Sequence, residues 1–412
     1  MGLIINIDQS LEQRTEYNIL KEPLNDMLKD KQELWEKENP IDMIFNRSTI
    51  DGFQETYTSS IGFDHAFAET SDYAVAPIFN SAEGFSATYR TRTFQGGFII
   101  TQQVLEDRQY RKAKDDASAF MKRWHGDIVE YAIKSLSGGF KRDDDVEWGS
   151  ASNGGVSRLK LTSADTVSGD IDDVKNPLFC KNHTIVKRKG MTNVRKQSNI
   201  FYIDVDLAGD DAARLTKLAD GINQVITIME NYRDDNDKRA DVGGMKDIVA
   251  PNNARLKAAL NTVLSMDMFN EFGQRQGPNP CFKRANLKTT AYLNDIEQCE
   301  EVNGTGRGFF IVDKAYNAEN HGPELTERIP LTLNVENKKN PYGISYDGRQ
   351  RFDINSASWR GIAYVYIGKP DGAAGAWDNI NNFTEITPAA TIVKEVRVVN
   401  TTAAPVNTKA VQ

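Results

Sequence analysis

Cysteine and histidine are scarce in this chain, with three of the first and four of the second in 412 residues. Cys180, Cys281 and Cys299 are odd in number and scattered, so they describe no disulfide framework and read as reduced, packed thiols. His65, His125, His183 and His321 leave little material for general-base chemistry, and His125, inside a helical stretch, reads as packed rather than catalytic. No apolar run approaches the roughly 18 to 20 residues of a membrane span. The opening MGLIINIDQSLEQRTEY also lacks a basic region followed by an apolar core. The chain is therefore expected to stay in the cytosol where it is made, without a membrane partner, and its five N-x-S/T sequons carry no weight there.

Phosphate-cradling GxxxxGK[ST], GxSxG and HExxH motifs are all missing. His183 follows Cys180 at a spacing seen in zinc sites, but no second pair accompanies it, so no metal is expected. The acidic run Asp234 to Asp237 resembles a calcium loop yet lacks the glycine and the closing glutamate, and reads as a solvated turn. Neither a cofactor nor an enzymatic activity is expected. Against 58 acidic residues stand 50 basic ones, a net charge of -8, which works against gripping a phosphate backbone through counterion release. A container for DNA needs no such grip.

What is present is ordinary globular composition, 39% apolar and 26% charged, in a chain long enough for one large or two ordinary domains. Residues 1 to about 58 are polar, with a helix through Pro23–Trp35 whose thin stripe of Leu24, Met27, Leu28, Leu34 and Trp35 cannot build a core alone. They read as an extended arm that packs on something else. YAVAPIFN from Tyr73, the turn-forming Asn80 to Gly84, and FSATYRTRTF then give a β-hairpin signal. Phe85, Ala87, Tyr89, Thr91 and Thr93 fall on one face of its second strand, and Arg90 and Arg92 on the other. Neither face is apolar enough for a core, so the hairpin is expected to project.

The most periodic stretch follows, Thr101 to Ser137, where Tyr110, Ala113, Ala117, Phe120, Met121, Trp124, Ile128, Ala132 and Leu136 make one stripe. It predicts a single helix of about 37 residues, roughly 55 Å, ended by Gly138-Gly139. Heptad spacing is not kept long enough for a coiled coil. Residues 140 to about 176 are rich in Gly, Ser and Asp and read as a long loop. Beyond them come a strand at 199–205 and a helix at 211–232 with Leu215, Leu218, Ile222, Val225, Ile226 and Met229 as its buried face. A strand at 245–250 precedes a helix begun by Pro251 with Asn252 or Asn253 as N-cap. AYLND, RGFFIVD, IPLTLNV, RQRFDIN and WRGIAYVYIG read as further strands, and the fold class is α+β.

The order arm, hairpin, very long helix, Gly-rich loop and mixed body resembles the Hong-Kong-97-type capsid fold of tailed-bacteriophage major capsid proteins. FIITQQVLEDRQY (Phe98 to Tyr110) resembles the passage from hairpin strand into spine helix, and NPLFCKNHT (Asn176 to Thr184) a phrase of Mu-like head proteins. KDIVAPNNARLKAAL (Lys246 to Leu260) is similar to the strand-to-helix step of the axial domain, and DINSASWRGIAYVY (Asp353 to Tyr366) to the closing strands. The resemblance implies an N-arm at 1–58, an E-loop at 59–100, a spine helix at 101–137, a peripheral domain at 138–205 and 350–400, an axial domain at 206–349 and a tail at 401–412. Asn294 to Glu336 is longer than the pattern expects and reads as an insertion.

The implied function is a virion structural protein, assembled in the host cytoplasm by self-association into hexamers and pentamers of an icosahedral shell. Such a shell encloses double-stranded DNA without sequence-specific binding. A separate scaffold protein, a portal and decoration proteins are the implied partners. An encapsulin-type shell around enzyme cargo is the alternative within the fold, and an α+β enzyme with an unfamiliar site the alternative outside it. Phe79, Phe85, Tyr89, Arg90 and Arg92 are the expected inter-subunit contacts of the hairpin. For Arg90 and Arg92, pairing with a neighbour's carboxylates and simple solubility of an exposed strand both stand open.

Overall fold

Two long elements carry this fold, a helix and a strand pair, and each passes through both hydrophobic cores. They are seen in a computed structural model that describes residues 3–7, 15–62, 78, 82–140, 160–161, 177–184, 196–207, 213–234, 238–269, 277–302, 305–339, 342–373 and 376–386. In chain order, strand β1 (Ile4–Ile7) precedes helix α1 (Thr15–Glu38). Strands β2 (Asn46–Thr49), β3 (Gln54–Gly62), β4 (Ala82–Arg90) and β5 (Arg92–Thr101) lead into helices α2 (Gln102–Glu106) and α3 (Tyr110–Gly138). Short strands β6 (Lys160–Leu161), β7 (His183–Thr184) and β8 (Lys196–Gln197) come before β9 (Ile200–Ile203), α4 (Ala213–Glu230), β10 (Lys246–Pro251) and α5 (Ala254–Ser265). Then come β11 (Met268–Phe269), β12 (Gly277–Pro278), β13 (Ala285–Thr290), β14 (Glu301–Val302), β15 (Thr305–Gly306) and β16 (Gly308–Asp313). Helix α6 (Lys314–Glu319) and strands β17 (Glu324–Lys339), β18 (Tyr342–Asn355), β19 (Ile362–Ile367) and β20 (Thr384–Glu385) complete the described chain.

The first core lies about a six-stranded sheet in the order β13-β10-β16-β19-β9-β20, whose central strands are apolar on both faces because helices cover them. From α4, five of the six expected residues are fully buried, and Leu215 packs at the edge of the core. Helix α5 is capped by Asn253, whose side chain accepts from the Leu256 N–H at 3.0 Å. Pro251, expected to begin that helix, instead closes β10. The second core lies between helices α1 and α3 and the sheet β1-β17-β18-β5, with β2 also paired to β17.

Helix α3 gives Ala113, Ala117 and Met121 to the second core and Ile128, Val129, Ala132, Ile133 and Leu136 to the first. The β17–β18 ribbon does the same in reverse, with Leu331, Leu333, Val335, Ile344 and Tyr346 in the second core and Leu325, Phe352 and Ile354 in the first. Gly97 allows β5 to lie close beside β18, since a Cβ there would sit 2.5 Å from the Tyr346 carbonyl oxygen.

Several expectations change. The helix expected over 101–137 is broken, because Arg108 takes a left-handed φ of 52° and separates α2 from the 29-residue α3. The break lets Val104 and Leu105 face the same core as Ala113 and Ala117. Residues 15–49 are not a free arm: Leu20, Leu24 and Leu28 are buried against α3 and its sheet, and β2 pairs with β17. The strand paired with 82–90 is β3, 54–62, which straddles the expected boundary at 58/59, while the strand read at 73–80 lies outside the described residues except for Ile78. AYLND is one turn of 3-10 helix, and IPLTLNV and RQRFDIN are parts of one ribbon. The boundary at 349/350 therefore cuts a continuous strand, and the six-stranded sheet combines strands from both the expected axial and peripheral segments. Most of the Gly-rich loop and the tail at 401–412 fall outside the described residues.

Leu28→Ala is expected to cost about 2–5 kcal/mol in urea unfolding of the unassembled chain, because Leu28 is fully buried between α1 and α3. Leu34→Ala, half exposed on the same helix, is expected to stay within about 0.5 kcal/mol. Equal effects would contradict the docking of α1 on this chain.

Candidate assembly surface at the base of the hairpin

The hairpin is built from threonine, serine and aromatic residues that favour extended backbone but give little apolar surface. Among the described side chains its anchor is small and local. Tyr89 is fully buried against Ala357, with Tyr57 edge-on to it at 4.9 Å. Tyr57 stacks on the His321 ring at 4.1 Å, and His321 Nδ1 lies 3.5 Å from the buried Glu324 Oε1. His321 itself has φ 48°, and its carbonyl accepts from the N–H groups of Ala357 and Ser358. On the other side of the strand, the Arg90 N–H donates to Asp353 Oδ2 at 3.0 Å.

Above this anchor the surface is basic. Phe53 is 46% exposed, and the Arg90 and Arg351 guanidinium carbons lie 5.2 and 5.7 Å from its ring centre. Arg328 Nε donates to the carbonyl of Asp51 beside them. Phe53 is held from below, because its own carbonyl accepts both the N–H and the hydroxyl of the buried Thr91.

The expected contact residues are thus dispersed. Tyr89 is spent inside the chain and offers no surface, which corrects its reading as a contact. Arg90 is exposed, whereas Arg92 is half-buried, with its charge near Tyr131 and Asp353. Phe85 stands in β4 opposite Leu161, and Phe79 lies outside the described residues. Phe53, Arg351, Tyr57, His321, Glu324 and Asp353 were not anticipated. Phe53 left a signal, as an aromatic beside Gly52 in a polar stretch.

Elsewhere the reactive residue types are packed. Burial pushes the Cys281 thiol up to about 12 and Cys299 higher still. His183 stacks on Trp359 at 4.1 Å with Nε2 3.2 Å from Asn199 Oδ1, so the Cys180–His183 pair serves a structural network. Of the expected turn at Asp234 to Asp237 only Asp234 is described, and its Oδ1 accepts from the Lys238 N–H. Among the described residues no group of three or more His, Cys, Asp or Glu is placed to hold a metal ion, and no helix is long and apolar enough to cross a membrane.

No family model and no curated protein matches the chain. Among solved structures it is similar to the capsid of the native GTA particle, at 10% identity and a TM-score of 0.42 over 80% of this chain and 89% of that one. It is also similar to the mature capsid of bacteriophage PhiM1, at 9% identity and 0.41 over 79% and 85%. A third likeness is to a structure of Mycobacterium phage Patience, at 11% identity and 0.39 over 89% and 93%.

The hairpin anchor is proton-linked. Burial raises Asp353 to about 6, against the opposing N–H donors of Arg90 and Ile354 and the charge of Arg92. The neighbouring Glu324 carboxylate raises His321 above its ordinary value. Both groups hold their protons more tightly when folded, so their contributions are present in acid. That of Asp353 is lost as pH rises from the ordinary carboxylate range through about 6, and that of His321 at higher pH. His125, held down to about 4 by burial, acts oppositely as pH falls below the usual imidazole range. Asp353→Asn keeps the acceptor for Arg90, so its stability relative to the native chain should grow by about 1–3 kcal/mol from about pH 4 to about pH 8 in urea unfolding. A constant difference would contradict this linkage.

Proposed function

We propose that this chain is the repeating subunit of a closed protein shell, the major capsid protein of a tailed phage. Its task is to form hexamers and pentamers around packaged double-stranded DNA. The observation that carries the reading is a hairpin of two nine-residue strands whose buried anchor, among the described residues, is Tyr89 beside Tyr57 and Ala357. A hairpin alone in water is marginally stable, and the two-residue β6 adds only a short third strand beside β4, so such a long hairpin is taken to be supported by what it touches beyond its base. The broken but still long spine, about 43 Å in α3, gives a stiff beam from which neighbours can be reached.

The phrases FIITQQVLEDRQY, NPLFCKNHT and KDIVAPNNARLKAAL, in that order, supply the link to tailed-phage heads rather than to shells in general. Closed symmetric assembly multiplies modest contacts, so no single strong interface is required of the subunit. A scaffold protein, a portal and decoration proteins belong to the same proposal as partners, and the DNA is enclosed without base-specific contacts, as the net charge of -8 suits. Arg90 and Arg92 stand in it as subunit-contact residues.

Size exclusion and negative-stain electron microscopy of the protein, made alone and with its scaffold partner, test the reading. Closed shells, tubes or capsomer rings are expected. A monodisperse 46.1 kDa monomer under all these conditions would overturn it.

A further inference from the structure

Among the described residues, the guanidinium groups around Phe53 make no ion pair, although Asp51 lies beside them and is held through its carbonyl. Two guanidinium groups converge on one exposed ring with a third arginine beside them. Among the described residues no carboxylate lies within ion-pair distance of Arg90, Arg328 or Arg351. Other arginines of the chain are paired: Arg47 with Asp42, Arg123 with Asp127 and Arg284 with Glu230. The Nε of Arg351 is buried without a hydrogen-bond partner. An exposed aromatic flanked by arginines is the composition that dominates binding energy at protein interfaces, and guanidinium pairs select planar carboxylates.

A complementary surface exists on the same chain. Asp295 to Glu301 holds four carboxylates in seven residues and no basic residue. Ile296, Gln298 and Cys299 between them are buried, while Asp295, Glu297, Glu300 and Glu301 are exposed. The segment is pinned from beneath: Gln298 Oε1 accepts from Ser137, and the Gln298 carbonyl accepts from the buried Tyr364 hydroxyl at 2.5 Å. It is thus a rigid acidic edge that needs little ordering to bind. The exposed acids of α1 are a poorer match, because Lys29 and Lys37 interleave with them.

We propose that the Phe53–Arg90–Arg351 surface receives carboxylates from a second copy of this chain, and that the occupant is its Asp295–Glu301 edge. The inference rests on the shell reading above and names one of its contacts. The contact joins two different patches, so it runs head to tail and closes a ring when the rotation between copies allows.

Arg90→Glu, Arg90→Glu with Arg351→Glu, and Asp295→Lys with Glu297→Lys and Glu300→Lys are compared with the native chain by sedimentation and electron microscopy of assembled particles. Far-ultraviolet circular dichroism and thermal melting of the unassembled chains identify folded variants. Arg90→Glu keeps the test valid if the Arg351 change disturbs folding, since Arg90 holds Asp353 through its backbone. Each reversal is expected to raise the concentration needed for assembly at least tenfold, and the chain carrying both reversed patches to recover most of the loss. Assembly of the reversals at native concentrations would overturn the proposal and leave the shell reading standing. Failure of the doubly reversed chain to recover would assign the arginines another partner, nucleic acid included, and overturn the proposal as well. A native chain that never assembles would remove the shell reading itself.

Discussion

The shared passage of α3 and the β17–β18 ribbon through both hydrophobic cores is the constraint on which the rest of this structure depends. Strands of 16 and 14 residues are far longer than the usual five or six, and neither core alone would fill their length. Where the cores meet, the seam is polar rather than apolar. Trp124 Nε1 donates to Gln350 Oε1, and Gln350 Nε2 donates to Glu327 Oε1, each at 2.9 Å. Gln350 is buried, so this string fixes the rotation of helix against ribbon as greasy contacts alone would not. Trp124 also borders both cores, which leaves the two halves little freedom to move separately.

From that rigid frame the other elements take their places. Helix α1 covers the open side of the second core, and β1 and β2 lie along one edge of β17 in parallel. Strand β5 lies along the other side of the ribbon and runs straight toward β4, so the hairpin's direction is set by the sheet that carries it. Among the described side chains its anchor is a cluster of rings and ionisable groups, Tyr57, Tyr89, His321 and Glu324.

The sequence made some of this legible and hid the rest for physical reasons. Apolar period exposed α3, α4 and α5, since each buries one stripe, and the continuous apolar runs of β16 and β19 matched a sheet covered on both faces. Strand β3 escaped because QETYTSSIG has no apolar alternation; what fixes it is its pairing with β4. The break at Arg108 escaped because nothing in Asp107-Arg108-Gln109 favours a positive φ. The pairings that join segments far apart in sequence, in the ribbon with β5 and in the six-stranded sheet, leave no local mark. The candidate surface was half legible. Arg90 is exposed where alternation put it outward; Phe53 reaches it through the β3–β4 pairing, whereas Arg351 and His321 arrive from more than 200 residues away in the chain.

Hydrogen–deuterium exchange of the protein before and after assembly tests the central claim most directly, because it reads the beams and the projection in one experiment. The account predicts that amides of α3 and of the β17–β18 ribbon are already strongly protected in the free subunit and change little. New protection should concentrate in the hairpin strands and the Gly52–Gln54 turn. Protection gained mainly in α3 and the ribbon, with the hairpin unchanged, would contradict it, since the frame would then be a product of assembly rather than its starting point.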